Sequence, residues 1–267
     1  MRQFICVAMR VVSLIVIVFI SATQSFAQSV KDSPDDPSAG TMSSRDILRA
    51  AIAAAGGEYW LNPQTLYLKG YGLFWTKGDN LPKVVDDYRM WRVYDQSRQS
   101  AHEASGMVRI DAKVDGKVWF QQAYDGETSY SHKGIVPPEK ASKEWASAFG
   151  FGIIRNALDP GFVVKRLPDD TVDGRATYTV SVADPKGEMT IFGIDQQNFH
   201  ILMVGFNTPK GWHQRIYSEF YTQAQPLWVQ PGRVRLYYNG IKSNEIHWTE
   251  FAVNKEYPRG LFQLTKP

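Results

Sequence analysis

The apolar positions of this chain follow a helical spacing once, early on, and then a spacing of two almost to the end. Ile47, Leu48, Ala51, Ile52 and Ala55 recur at intervals of three and four, which makes one stripe of an α-helix. Ser43 with Asp46 three residues on is a capping pair at its start, and Gly56-Gly57 ends it, because glycine takes the left-handed conformation of a helix C-terminus without strain. From Leu66 onward apolar and polar residues alternate. The segments 66–74, 88–94, 107–112, 117–124, 177–183, 189–194, 201–206, 213–221, 233–238 and 244–253 are predicted strands. Asp115-Gly116, Asp125-Gly126, Asp173-Gly174, Pro185-Lys186-Gly187, Pro209-Lys210-Gly211 and Asn239-Gly240 lie between them and carry the glycine that hairpin turns require. Short strands joined by tight turns predict a meandering antiparallel sheet.

Segment 138–158 (PEKASKEWASAFGFGIIRNAL) interrupts the series and predicts a second helix, closed by Asp159-Pro160-Gly161. Ala141, Trp145, Ala148, Phe149, Gly152 and Ile153 share one face, and Phe151, Ile154 and Leu158 widen it. Gly150 and Gly152 each cost roughly 1 kcal/mol in a helix interior relative to alanine, so the greasiest half of the segment is also the least helical. Two readings stand open: a buried core helix whose glycines permit close packing, or a movable plug over a hydrophobic cavity. The aromatic share of 13% favours a curved sheet, since Trp91, Trp119, Phe120, Phe220 and Trp248 fall in predicted strands and a flat sheet offers them no shared interior.

Charge and composition narrow the class. Arg2 and Arg10 precede or flank an apolar run at 11–20, and Ser25-Phe26-Ala27 supplies a small-x-small pattern, so residues 1–27 read as a signal peptide cleaved after Ala27. The run is shorter than the roughly 20 residues that span a bilayer. Cys6, the only cysteine, lies before the run ends and is not placed for acylation, and without it no disulfide or thiolate site exists. Removing 1–27 leaves 28 basic against 27 acidic residues, a net charge of +1 that argues against nucleic acid as a partner. Residues 28–42, rich in Ser, Asp, Pro and Gly, read as a disordered tether, and 43–267 as one domain with no stable membrane span.

Catalytic motifs are missing. There is no GxSxG, HExxH, P-loop or GxGxxG, and the five histidines are scattered. His247 and Glu250 form an HxxE pair that a strand would put on opposite faces. Asp111, Asp115 and Asp125 sit in or beside turns, where aspartate serves the backbone. Arg233 and Arg235 alternate with Val234 and Leu236 and are expected to face solvent. No metal, cofactor or catalytic residue is assigned, and the reading is of a binding protein and not an enzyme.

Several short stretches, in order, carry a resemblance. Ala55-Gly56-Gly57 leads through Leu66-x-Leu68-x-Gly70-x-Gly72; Tyr124-Asp125-Gly126-Glu127-Thr128 follows; then Asp173-Gly174-Arg175-x-x-Tyr178-x-Val180 with Asp195 and Leu202; and the chain closes on Ile246 through Asn254 to Leu261-Phe262. This series resembles the periplasmic outer-membrane lipoprotein carrier superfamily (LolA-like and LolB-like) over residues 43–267. The resemblance implies a mainly β (α+β) fold, a strongly curved antiparallel half-barrel of about 10–11 strands wrapped around helices. It also implies a periplasmic location and a non-catalytic role in binding or carrying a lipid, a lipoprotein acyl group or another hydrophobic ligand. Some members of that superfamily are stress sensors, so a protein-interaction or envelope-stress-sensing module with a filled interior is the alternative, with envelope proteins as partners. The expected cavity wall is Phe74, Met90, Trp91, Trp119 and Met203, and the expected plug Trp145, Phe149, Phe151 and Ile154.

Overall fold

A computed structural model describes residues 42–76, 80–97, 106–140 and 150–264, with backbone alone for 150–152. The expected signal peptide 1–27 and all of the tether 28–42 except Met42 lie outside the described residues. Helix α1 (Ser44–Ala55) starts where the capping pair predicts: Ser43 Oγ accepts the Asp46 N–H at 3.2 Å and donates to the Asp46 carboxylate at 2.8 Å. Gly56 ends it at φ 141°, and a Cβ there would run into the Leu227 carbonyl. The chain then makes one more short helix that periodicity did not signal, α2 (Gly57–Leu61), which carries the buried Trp60.

Thirteen strands follow: β1 (Thr65–Phe74), β2 (Lys83–Val93), β3 (Met107–Val114), β4 (Lys117–Tyr124), β5 (Ser129–Ser131), β6 (Gly134–Val136), β7 (Val163–Val172), β8 (Arg175–Ala183), β9 (Met189–Asp195), β10 (Ile201–Thr208), β11 (Gly211–Ala224), β12 (Leu227–Tyr238) and β13 (Ile241–Val253). They form one antiparallel sheet in the order β6-β5-β4-β3-β2-β1-β13-β12-β11-β10-β9-β8-β7. The chain therefore starts at the middle, winds to one edge, and returns from the other edge until β13 pairs with β1. Asp115-Gly116, Asp173-Gly174 and Asn239-Gly240 all have positive φ at both residues, the geometry of a two-residue hairpin turn.

The count exceeds the expected 10–11 for identifiable reasons. β5 and β6 have three residues each, too few to show alternation. β7 carries Pro168 and two aspartates, which speak against a central strand, but it lies at the sheet edge, where a missing N–H is tolerated. Pro231 is likewise admitted in β12 because 227–232 pair with β11 alone, before the β13 ladder begins at Arg233.

The sheet is strongly curved. β2 and β11 stand four steps apart, about 19 Å if the sheet were flat, yet their side chains line one cavity. Among the described residues β6 and β7 do not pair, so the barrel stays half closed. The second half of the link between these two edges is buried: Ile153, Ile154 and Ala157 pack with Ile47, Leu48, Trp60, Phe192 and Trp248 in the core. Here the structure corrects the second half of the α-helix expected over 138–158, while 141–149 lie outside the described residues. Residues 138–140 make a helical turn and Gly150–Asn156 wind as a 3-10 helix, where Gly150 and Gly152, one residue apart, weaken a regular α-helix.

Candidate functional site

The concave face encloses a cavity of about 190 Å³ between α2, the 3-10 helix Gly150–Asn156 and the middle strands. Its position follows from the pleat. Tyr88, Met90 and Arg92 of β2, Arg215 and Tyr217 of β11, Val234 and Leu236 of β12, and Asn244, Ile246 and Trp248 of β13 each occupy alternate positions and so face the same side. Trp60 and Trp228 also line the cavity, with Tyr59 edge-on to Trp228 at 6.1 Å between centroids. Most of the wall is hydrocarbon.

Three guanidinium groups break that pattern. Arg92, Arg155 and Arg215 come from β2, the 3-10 helix and β11, and all three line the cavity. Among the described residues no aspartate or glutamate lines it. Arg92 is only 6% exposed, and its guanidinium lies 4.8 Å from the centre of the Tyr94 ring. Burial, with Arg155 and Arg215 nearby and against the pull of Tyr94, holds its pKa down at about 10, still cationic at neutral pH. Arg155 donates from Nε to the Trp60 carbonyl at 2.8 Å and lies over the Trp60 ring at 4.0 Å, while its buried Nη1 has no hydrogen-bond partner. Burial lowers its pKa too. Arg215 Nε donates to His213 Nε2 at 2.9 Å, and His213 is itself clamped against Phe206 at 4.6 Å. Burial pushes the Tyr88 and Tyr217 phenols up to about 12, Arg215 pulling the other way, so both remain neutral O–H groups.

Of the wall residues expected from sequence, Met90 lines this cavity and the other four do not. Trp91 follows Met90 directly, so the pleat turns it outward, where it meets Tyr67 at 5.2 Å and Arg109 at 5.7 Å. Phe74 and Trp119 stand one ring behind the wall: Trp119 meets Phe74 at 5.1 Å, and Phe74 meets Tyr88 at 5.7 Å. Trp119 is there because the β3–β4 register shifts between Ala112 and Lys113, which lets Trp119 and its neighbour Phe120 both reach Phe74. Met203 belongs to a separate cluster with Val172 and Leu202. In the expected plug, Ile154 is fully buried in the core, the Phe151 side chain is not described, and Trp145 and Phe149 lie outside the described residues.

Other expectations concern the convex side. Arg233 and Arg235 do face away from the cavity, but as ion pairs and not as free solvent groups: Arg233 bonds Glu245 at 2.7 Å, and Arg235 bonds Asp173. His247 and Glu250 do not converge; His247 bonds Glu245 at 2.8 Å and stacks on Tyr71 at 4.7 Å, whereas Glu250 bonds Lys69 at 2.7 Å. Sequence reasoning missed the three arginines, although for two of them a signal existed. Arg92 is in phase with Tyr88 and Met90, and Arg215 with His213 and Tyr217, so each is a cation written into the inward phase of its strand.

No family model and no curated protein matches the chain. Its strand arrangement is similar to that of crystal structures of the LolA superfamily and its neighbours. A LolA superfamily protein from Nitrosomonas europaea is 11% identical, with 84% of this chain and 99% of that one covered and a TM-score of 0.49. A DUF1329 family protein from Desulfovibrio piger is 10% identical, with 84% and 98% covered and a TM-score of 0.49. At these identities and scores the likeness is one of chain arrangement and says nothing of ligand or partner.

Proposed function

We propose that this chain is an exported binding protein that holds one apolar chain of an amphiphile, such as an acyl chain of a lipid or lipoprotein, in its concave cavity without altering it. The observation that supports this is the unfilled space itself. A curved sheet of this aromatic content could have closed over its core, yet about 190 Å³ remains between largely hydrocarbon walls. For scale, an engineered apolar cavity of about 150 Å³ takes up benzene, so this one has room for roughly seven or eight carbons. Each methylene moved from water into such a wall contributes about 0.8 kcal/mol, which suffices for binding with no chemistry at all. The space suits a single chain segment and not the several full-length chains of a whole lipoprotein anchor. The signal-like pattern of the N-terminal segment 1–27 is the reason for placing the protein in the periplasm.

Trp60, Trp228 and Trp248 line the cavity, which makes tryptophan emission the natural reporter. Titrating the full-length protein with 1-octanol is expected to give a saturable spectral change. Emission that stays flat, or drifts linearly without saturation, removes the binding reading.

A further inference from the structure

Hydrocarbon walls explain the affinity for a tail but leave the arginines without a role. Three guanidiniums supplied by three separate elements face one small cavity, and no carboxylate of the described residues lines it with them. Placing three cations around one small space adds mutual repulsion to the cost of burying each; the depressed pKa of Arg92 carries both effects. Arg155 adds a donor, Nη1, that is buried and has no hydrogen-bond partner, although its Nε is bonded and its face is stacked on Trp60. His213, wedged against Phe206, fixes Arg215 from behind, so this cation is held in place and is not simply pointing wherever space allows. The neutral hydroxyls of Tyr88 and Tyr217 and the amides of Gln230 and Asn244 complete a ring of possible donors around the same space. A donor-rich, cationic lining in an otherwise oily cavity is the complement of an anionic amphiphile.

Resting on the binding reading above, we propose that the bound amphiphile carries an anionic head, a carboxylate or a phosphate, gripped by Arg92, Arg155 and Arg215 while its tail lies along Leu68, Met90, Val234 and Ile246. Planar guanidiniums favour such heads because they give two parallel N–H···O bonds to the oxygens of one group. The same set of charges turns away cationic amphiphiles.

Equilibrium dialysis of the full-length protein against four eight-carbon probes tests this: octanoate, octyl phosphate, 1-octanol and octylammonium, all at neutral pH. At least one of the two anions is expected to bind about tenfold tighter than 1-octanol or better, and octylammonium more weakly than 1-octanol; whichever anion is preferred identifies the head as carboxylate or phosphate. Arg92→Met and, as a second variant on a separate element, Arg155→Met should each lose most of that preference, read within each variant as the ratio of anion to 1-octanol affinity. Equal affinity for 1-octanol and both anions overturns the anionic head and leaves the cavity reading intact. No saturable binding of any probe overturns both. An anion preference that survives in both variants overturns the assignment to these arginines.

Discussion

Val234 stands in the middle of the cavity wall, paired across the sheet with Tyr217 on one side and Ile246 on the other, and all three line the cavity. Replacing it with phenylalanine adds four carbons directed into the space. At the roughly 25 Å³ per carbon implied by benzene in a 150 Å³ cavity, the new ring takes about half of the 190 Å³. Room for seven or eight ligand carbons shrinks to about four. At about 0.8 kcal/mol per methylene, the loss for an eight-carbon chain is about 3 kcal/mol, a factor on the order of 200 in affinity. Neutral 1-alkanols of four to twelve carbons, followed by tryptophan emission, separate this effect from any charge. In the parent protein affinity should rise about fourfold per methylene and level off near seven or eight carbons; in Val234→Phe it should level off near four. The ligand-free variant should also be more stable, because filling empty apolar volume recovers about 24 cal/mol per Å³, an upper bound of about 2 kcal/mol and a rise of about 4–8 °C in Tm. If both proteins level off at the same chain length, the tail does not lie against Val234 and the placement of the ligand is wrong.

Three further outcomes test the fold that carries the site. Gly70→Ala puts a Cβ against the backbone of His247 and Trp248, with the His247 carbonyl carbon at 2.8 Å and Trp248 Cα at 2.9 Å, so the β1–β13 junction must part; a loss of about 4 kcal/mol or more, or failure to fold, is expected in urea melts. Ile154→Ala, at a fully buried core position, should cost about 2–4 kcal/mol in the same assay. Glu245, 4% exposed, is pushed up by burial, but bonds from Lys242 and His247 and the charges of Lys242 and Arg233 outweigh this and hold it at about 2. Its contribution is complete above the ordinary value of 4.5 and is lost as pH falls toward about 2, because only the unfolded chain takes up the proton in that window. Glu245→Gln should therefore lose about 3 kcal/mol at pH 7 and show a flatter stability profile between about pH 5 and 2; an unchanged profile would show that the ion cluster stabilises nothing.

Most of the fold could be read from spacing, because a period of two and the glycines at many of the reversals are local properties. The turn at Asp173-Gly174 and the strands flanking it needed no knowledge of the rest of the chain. What escaped was set by position in the sheet. Pro168 marks an edge strand only once β7 is known to be the edge, and Pro231 is tolerated only because β13 stops short of it. For the site, hydrophobicity was the wrong guide and phase the right one. Choosing Met90 and Trp91 together as wall residues ignored that adjacent strand residues face opposite ways, whereas Tyr88, Met90 and Arg92 share one phase and one cavity. Arg155 lay beyond any periodic signal, since the 3-10 turn that aims it replaces the helix that the apolar pattern predicts.

The interior also bears on whether such a trough serves a ligand or only a partner docked outside. It is neither empty nor full. Trp119, Phe120, Phe74, Tyr88 and Trp248 form a relay of ring contacts from β4 to β13, and the open space begins where that relay ends. The sequence could thus fill volume with aromatic carbon where filling was useful, and on the next strands it did not. A purely structural interior would gain nothing from arginines there, since well-packed apolar residues of similar size serve a core as well as or better than buried ions. Three elements that each place a cation at the same gap, with one of them braced by a buried histidine, are what the proposal of an anionic head accounts for and a merely filled interior does not.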